Sequence, residues 1–301
     1  MKIYANMHTH SSHSDGGYTP NELAHAAKKE GYGAIVLTDH DNITGFPEMR
    51  SACEALGLET VLGVEFSSPS KLLPAKPGIK TENNSFHICG YGFDPEHPGI
   101  RQYLMELSAQ KTAQTKELFD LAVQKGLLRG IDWEEVIALN SEKTYINGKQ
   151  IFAAMQAKGL VTQKDHQWFV TEVNRPLLPL VFPCEFRQEY EIIQLIRDAG
   201  GLAILAHPHE QLQHMEALME MGICGLEVSH HLLTPEEQTA AMQLAIEKNL
   251  YISGGSDHCG QCSGYYERYP TPEECPKYAP YLSFGTSKEY FDEIKTKQLC
   301  R

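Results

Sequence analysis

The chain has 301 residues, a length that suits about two domains or one large barrel carrying an insertion. Its hydrophobic fraction of 42% supplies a buried core and excludes intrinsic disorder. A formal net charge of −13 excludes bulk electrostatic attraction to nucleic acid or an anionic membrane, so no extended nucleic-acid surface is expected. One local basic pocket for a phosphate is compatible with that charge.

No apolar stretch approaches the roughly 18 residues of a membrane span, and the opening MKIYANMHTH lacks a signal-peptide core. A cytoplasmic protein without a membrane partner is expected; composition says nothing of the oligomeric state. The eight cysteines are scattered, and Cys53, Cys89, Cys184 and Cys224 read as buried thiols rather than disulfide partners.

Short apolar runs ending in polar clusters predict seven strands: Lys2–Met7, Ala34–Thr38, Thr60–Phe66, Phe86–Phe93, Leu202–Ala206, Ile223–Val228 and Leu250–Ser253. Helical periodicity falls between several of them, at Asn21–Glu30, Phe46–Ala55, Arg187–Ala199, Gln213–Met221 and Pro235–Lys248. Thr19-Pro20-Asn21-Glu22 and Thr234-Pro235-Glu236-Glu237 carry the cap, first-turn proline and acids of a helix start. Strand–helix alternation of this kind points to a parallel sheet or a (β/α) barrel. The span 98–186 breaks the pattern: a long helical stretch, Ile100–Lys125, is followed by further helical segments with no buried strand. It reads as an inserted, mainly helical domain, with residues 1–97 and 187–301 forming the barrel.

The histidines and acids fall at strand ends. His8 and His10 follow the first strand, His40 the second, and Glu65 lies at the end of the third. His87 is in the fourth, His207 follows the fifth, and Asp257 with His258 follows the seventh. In a (β/α) barrel these ends converge on one face, and imidazole with carboxylate suits zinc, manganese or iron. Asp15 turns back toward such a cluster more readily than His13, which reads as a bystander. His25, His97, His166 and His214 read as surface residues. Asp39 and Asp41, flanking His40, could orient a ligand imidazole. His230 and His231 are either solvated loop residues or close enough to the barrel mouth to touch substrate.

In order along the chain, HTHSSHSDG, LTDHD, GVEF, FHICGYG, AHPH and GGSDHCG resemble the PHP (polymerase and histidinol phosphatase) domain, and most of all its stand-alone metal-dependent phosphoesterases. The resemblance implies a distorted (β/α)7 barrel holding two or three divalent metal ions (Mn, Zn or Fe). By motif, His8, His10, Glu65 and Asp257 would surround one metal. Glu65 would bridge to a second completed by His87 and His207, and Asp15 and His40 would belong to a third. The family's last motif is usually S-D-x-H-G; here Cys259 stands at the histidine position and His258 at the variable one, so that Cys259 or His258 completes the third site, or that site is weak or empty. Cys259 also opens CGQC, but the following SGYYERYPTP has no helix of the kind a dithiol redox site uses.

The activity so implied is hydrolysis of a small phosphate mono- or diester by a metal-bound hydroxide. The substrate would be a nucleotide, a nucleoside 3′,5′-bisphosphate or a sugar cyclic phosphate. His207, His209 and His230 are candidate proton donors to the leaving alkoxide. Related phosphoesterases place an arginine within G-R-P, where this chain reads Gly148-Lys149-Gln150, making Lys149 the matching phosphate-binding cation. Arg175 and Arg187 are the alternatives. Two other readings are an amidohydrolase-type C–N or C–O hydrolase and a degenerate metal-binding scaffold; the ordered motifs weigh against both.

Overall fold

The computed structural model describes residues 2–73, 85–257 and 284–299. His258 and Cys259, and with them the CGQC motif, lie outside the described residues. Contacts divide the chain into two units: described residues 2–73, 85–102, 186–257 and 284–299 form one, and 103–185 the other.

The first unit is mixed α/β and holds every described strand. β1 (Ala5–Asn6) pairs in parallel with β2 (Ala34–Ile35). β3 (Gly63–Pro69), β4 (Ser85–Tyr91), β5 (Leu202–Leu205), β6 (Gly225–Ser229) and β7 (Tyr251–Gly254) form a second sheet in that order. The described strands therefore make two sheets of two and five strands, and no closed barrel is present among them. Single links join the sheet edges: an isolated bridge pairs His40 with Glu65, and the Met7 and Asp257 amides donate to Gly254 O and His8 O.

β4 runs antiparallel to both β3 and β5, whereas strand–helix alternation leads one to expect parallel neighbours. The physical reason is the connection: a parallel return needs a crossover, usually a helix, and residues 67–85 carry no helical period. β1 and β2 are shorter than their apolar runs, and beyond them threonine hydroxyls add to the backbone hydrogen bonds between the two segments. Thr9 Oγ1 donates to Val36 O, and Thr38 Oγ1 accepts from Thr9 N.

Packing follows the two-residue period of a strand. Ala34 and Val36 face a core with Met7, Tyr91, Ile204 and Phe291; Ile35 and Leu37 face Leu23, Met49 and Ala52 on the helices Pro20–Glu30 and Phe46–Leu56. The first of these helices starts on a Thr19–Glu22 capping box and stops at Gly31, whose φ of 94° is left-handed.

The second unit is helical among its described residues, with helices Trp133–Ala138 and Gly148–Ala157 and a run of short helical turns over Gln163–Leu180. Its core gathers Phe119, Val136, Ile151, Phe152, Phe169 and Val173. His166, read from sequence as a surface residue, is buried here with its ring edge-on to Phe152 at 5.1 Å. Cys184 is partly exposed rather than buried, its thiol 3.5 Å from Gln114 Oε1. No described helix is long and apolar enough to cross a membrane.

Candidate metal centre

Glu65 lies in the apolar run GVEF, so its side chain is carried into the protein by its neighbours' burial; it is 1% exposed. Its two oxygens face different partners. Oε2 is 3.2 Å from His8 Nε2, 3.1 Å from His10 Nε2 and 3.1 Å from His40 Nδ1. Oε1 is 2.8 Å from His87 Nδ1 and 3.0 Å from His207 Nε2. Asp257 Oδ1 joins the first group, 3.1 Å from His10 Nε2. Asp15 Oδ1 lies 3.6 Å from His10 Nδ1 and 4.0 Å from His40 Nε2.

The donor spacing suits a cation. Ligand atoms bonded to one metal at about 2.0–2.2 Å lie roughly 3 Å or slightly more from one another. His8 gives its Nδ1 proton to Glu227, which leaves Nε2, 3.1 Å from His10 Nε2 and facing Glu65 Oε2, as the atom a metal would take. Nitrogens and a carboxylate oxygen converging at that distance call for positive charge between them, a proton or a metal ion. His10 Nδ1 is buried without a hydrogen-bond partner.

The ring pKa values express the same demand for positive charge. Burial opposes protonation of His8, yet the Glu227 and Glu65 carboxylates raise it well above the ordinary histidine value. His10, also against burial, is pushed up to about 10 by Asp257 and Glu65. Burial holds His40 down at about 3, and the His10 and His87 rings add to that. Burial alone would raise Glu65, but the rings of His8, His40 and His87 keep it well below the usual carboxylate range.

Backbone strain gathers in the same place. His207, Asp257 and Asp41 have φ of 27°, 53° and 48°, in the left-handed region that costs a non-glycine residue about 1–3 kcal/mol. Each has its N–H fixed by a residue of the cluster: His207 to Glu227 Oε2 at 2.7 Å, Asp257 to His8 O at 2.9 Å, and Asp41 to Glu65 O at 2.9 Å. The loop bearing Asp15 closes through Gly16, whose N–H donates to Ser11 O and where a β-carbon would sit 2.3 Å from His10 O.

Asp39 hydrogen-bonds a loop rather than an imidazole. Asp39 is buried and accepts from Ser11 N, Ser11 Oγ and Ser14 Oγ, securing the 11–14 loop; Asp41 accepts from Ser67 N. His13 lies outside the cluster, 3.0 Å from Thr44 Oγ1.

Among the candidate proton donors, His207 commits Nε2 to Glu65 and His87. His230 is buried rather than solvated, because it packs against the His8 and His207 rings at 5.7 and 5.1 Å. Its Nδ1 accepts from Leu232 N, so the neutral ring carries its proton on Nε2, 3.9 Å from Asp257 Oδ2. Burial, and then His207, keeps its pKa well below the ordinary value. His209 is 44% exposed, with Nδ1 held by the Glu237 carboxylate at 2.9 Å. Arg187 is half-buried, its carbonyl accepting from Ser68 Oγ. Lys149 and Arg175 are exposed in the second unit, Lys149 in the first turn of Gly148–Ala157 under the Asn147 cap.

The residue that sequence reasoning misses is Glu227. It is 0% exposed in β6, accepting from His8 Nδ1 at 3.0 Å and from His207 N. The available signal was a carboxylate inside the otherwise apolar GLEV, the same pattern that drew attention to Glu65.

The PHP domain family model matches residues 6–164. The chain is 29% identical over 267 residues to the 5′-3′ exoribonuclease of Haemophilus influenzae, covering 85% of this chain and 90% of that protein. It is 25% identical over 265 residues to the phosphoribosyl 1,2-cyclic phosphate 1,2-diphosphodiesterase of Eggerthella lenta, covering 85% and 94%. A solved structure from Bifidobacterium adolescentis, provisionally assigned as a metal-dependent phosphoesterase, shares the fold with a TM-score of 0.72 at 23% identity, over 99% of this chain and 97% of that one. The protein belongs to the PHP domain family. Several of its residue clusters are fit to hold divalent metal ions.

Proposed function

We propose that the cluster around Glu65 is the catalytic centre of a metal-dependent phosphoesterase that cleaves a phosphate ester attached to a ribose. The protein is a phosphoric ester hydrolase. The observation that carries the reading is the divided Glu65 carboxylate, with one oxygen toward His8, His10 and His40 and the other toward His87 and His207. Two relatives, one named an exoribonuclease and one a cyclic phosphate diphosphodiesterase, support the substrate class. The exoribonuclease name extends it to the end of a nucleic acid strand, which a local site can take without an extended basic surface.

In this reading His8, His10, Glu65 and Asp257 hold one divalent ion, and Glu65, His87 and His207 a second. Asp15 and His40 contribute to a third, with manganese, zinc and iron as the candidate metals. When bound, such ions supply Lewis acidity toward a phosphoryl oxygen and bring the pKa of a water toward about 7. The chain's own task is to hold the imidazoles as lone-pair donors and to protonate the leaving oxygen. His209 is the proposed proton donor: unlike His207 and His230 it is exposed, and Glu237 fixes its Nδ1 and leaves Nε2 to act.

We read the two sheets as a distorted (β/α)7 barrel over 1–97 and 187–301, supported by the hydrogen bonds that link their edges. Residues 98–186 are proposed as the inserted domain that selects substrate. Lys149, Arg175 and Arg187 are the proposed phosphate-binding cations on their charge. Replacing each by alanine and measuring KM tests them; an unchanged KM in all three contradicts the assignment.

The experiment for the whole reading is a screen of metal-loaded protein against mononucleotides, 3′,5′-bisphosphates, cyclic phosphates and short 5′-phosphorylated RNA, with amides and lactones as controls. Chelator-sensitive phosphate release is expected. Hydrolysis confined to amides or lactones overturns the reading.

A further inference from the structure

We infer that Glu227 is a positioning residue of the metal centre, acting on its two halves at once. This rests on the reading of His8 and His207 as metal ligands and goes beyond it, since both Glu227 oxygens are taken up by hydrogen bonds from those two residues.

Glu227 is buried in the middle of β6, where the run GLEVS would otherwise be an apolar strand. A carboxylate there is costly unless its oxygens are satisfied. They are: Oε1 accepts from His8 Nδ1 at 3.0 Å and Oε2 from the His207 amide at 2.7 Å. His8 faces one oxygen of Glu65 and His207 the other. One buried side chain therefore braces a ligand on each side of the bridging carboxylate.

The two hydrogen bonds do different work. The first fixes which His8 nitrogen a metal can take: with the proton on Nδ1 held by Glu227, Nε2, which faces His10 and Glu65, is the one available to a metal. His230 shows the opposite arrangement beside it, its Nδ1 accepting from Leu232 N, so that ring presents an N–H inward. Two packed imidazoles thus carry opposite tautomers, and the partner of Nδ1 decides which one can be a ligand. The second bond holds the strained His207 backbone, at φ 27°, in the conformation that sends Nε2 toward Glu65 Oε1.

A glutamine keeps the shape of Glu227 but has one acceptor oxygen, so it cannot serve both donors as the carboxylate does. Outer carboxylates of this kind typically contribute about 10–100-fold to metal affinity. Glu227→Gln should weaken zinc binding by about that factor, read by chelator competition on protein shown to be folded by circular dichroism. In zinc-loaded protein labelled with 15N-histidine, His8 should lose its uniform Nδ1–H tautomer in the variant. Glu227→Ala serves as the second variant. Tyr91→Phe is the structural control: Tyr91 is buried nearby and donates to Met7 O, but bonds no ligand, so its loss should lower stability and leave zinc affinity unchanged.

Wild-type zinc affinity in Glu227→Gln, or an unchanged His8 tautomer, overturns the inference. So does an equal loss of zinc affinity in Tyr91→Phe. None of these readouts requires turnover. A protein that binds zinc as described but hydrolyses no phosphate ester overturns the proposed function and leaves this inference standing.

Discussion

Glu65 and His87 meet diagonally across an antiparallel strand pair. Glu65 lies opposite Cys89 and His87 opposite Ser67, yet Glu65 Oε1 is 2.8 Å from His87 Nδ1. Residues two apart on a strand share a face, so the register puts both side chains on one side of the sheet. The other Glu65 oxygen is thereby left for His8, His10 and His40.

Glu65→Gln should therefore damage both halves of the centre, since an amide brings one oxygen and no charge. Bound metal measured by plasma mass spectrometry should fall by more than one equivalent, with phosphate-ester hydrolysis reduced by more than about a hundredfold, beyond the range of an outer carboxylate. Retention of the full metal content contradicts the bridging assignment.

The leaving group tests His209. A p-nitrophenolate leaves without a proton, whereas a ribose alkoxide needs one. His209→Ala should lower kcat about 10²-fold or more on a nucleotide ester and change little on p-nitrophenyl phosphate. Equal losses on both substrates rule out the donor role.

Gly16→Ala puts a β-carbon 2.3 Å from His10 O, so the backbone has to shift. Overpacking of this sort costs about 1–3 kcal/mol. Because the same loop carries Asp15, the weakest-held metal equivalent should be lost first in a chelator titration. A wild-type titration curve contradicts the part given to that loop.

Glu59 supplies an acid-dependent component of stability. Burial works against its ionisation, but Lys295 and Tyr4, which both donate to it, and Lys288 hold its carboxyl down at about 2, against an ordinary 4.5. A pKa depressed by folding contributes stability that is fully present above about 4.5 and lost as pH falls toward 2. Glu59→Gln should lower the thermal midpoint at neutral pH and narrow its gap to wild type below pH 4.5. A constant gap down to about pH 2 contradicts the linkage.

Much of the centre was legible because its residues sit at the ends of apolar runs, a local pattern that survives without knowledge of pairing. His8, His10, His40, Glu65, His87, His207 and Asp257 are brought together in the structure by strands whose positions the two-residue period marks. What was not legible depends on tertiary approach. The reversal of β4 is a matter of strand pairing, which an apolar run does not announce. Glu227 reads as an oddity in a buried strand until His8 and His207 are seen to donate to it. His230 reads as a loop residue because nothing in EVSHH reveals the rings stacked around it. The left-handed conformations of His207 and Asp257 are imposed by hydrogen bonds from distant segments, and local propensity disfavours them.

The central claim is that one carboxylate joins two metal positions. Anomalous diffraction from crystals grown with manganese tests it directly. The account predicts two strong peaks flanking Glu65, one within bonding distance of Oε2, His8, His10 and Asp257, the other of Oε1, His87 and His207. A single peak, or peaks that leave either Glu65 oxygen uncoordinated, contradicts it.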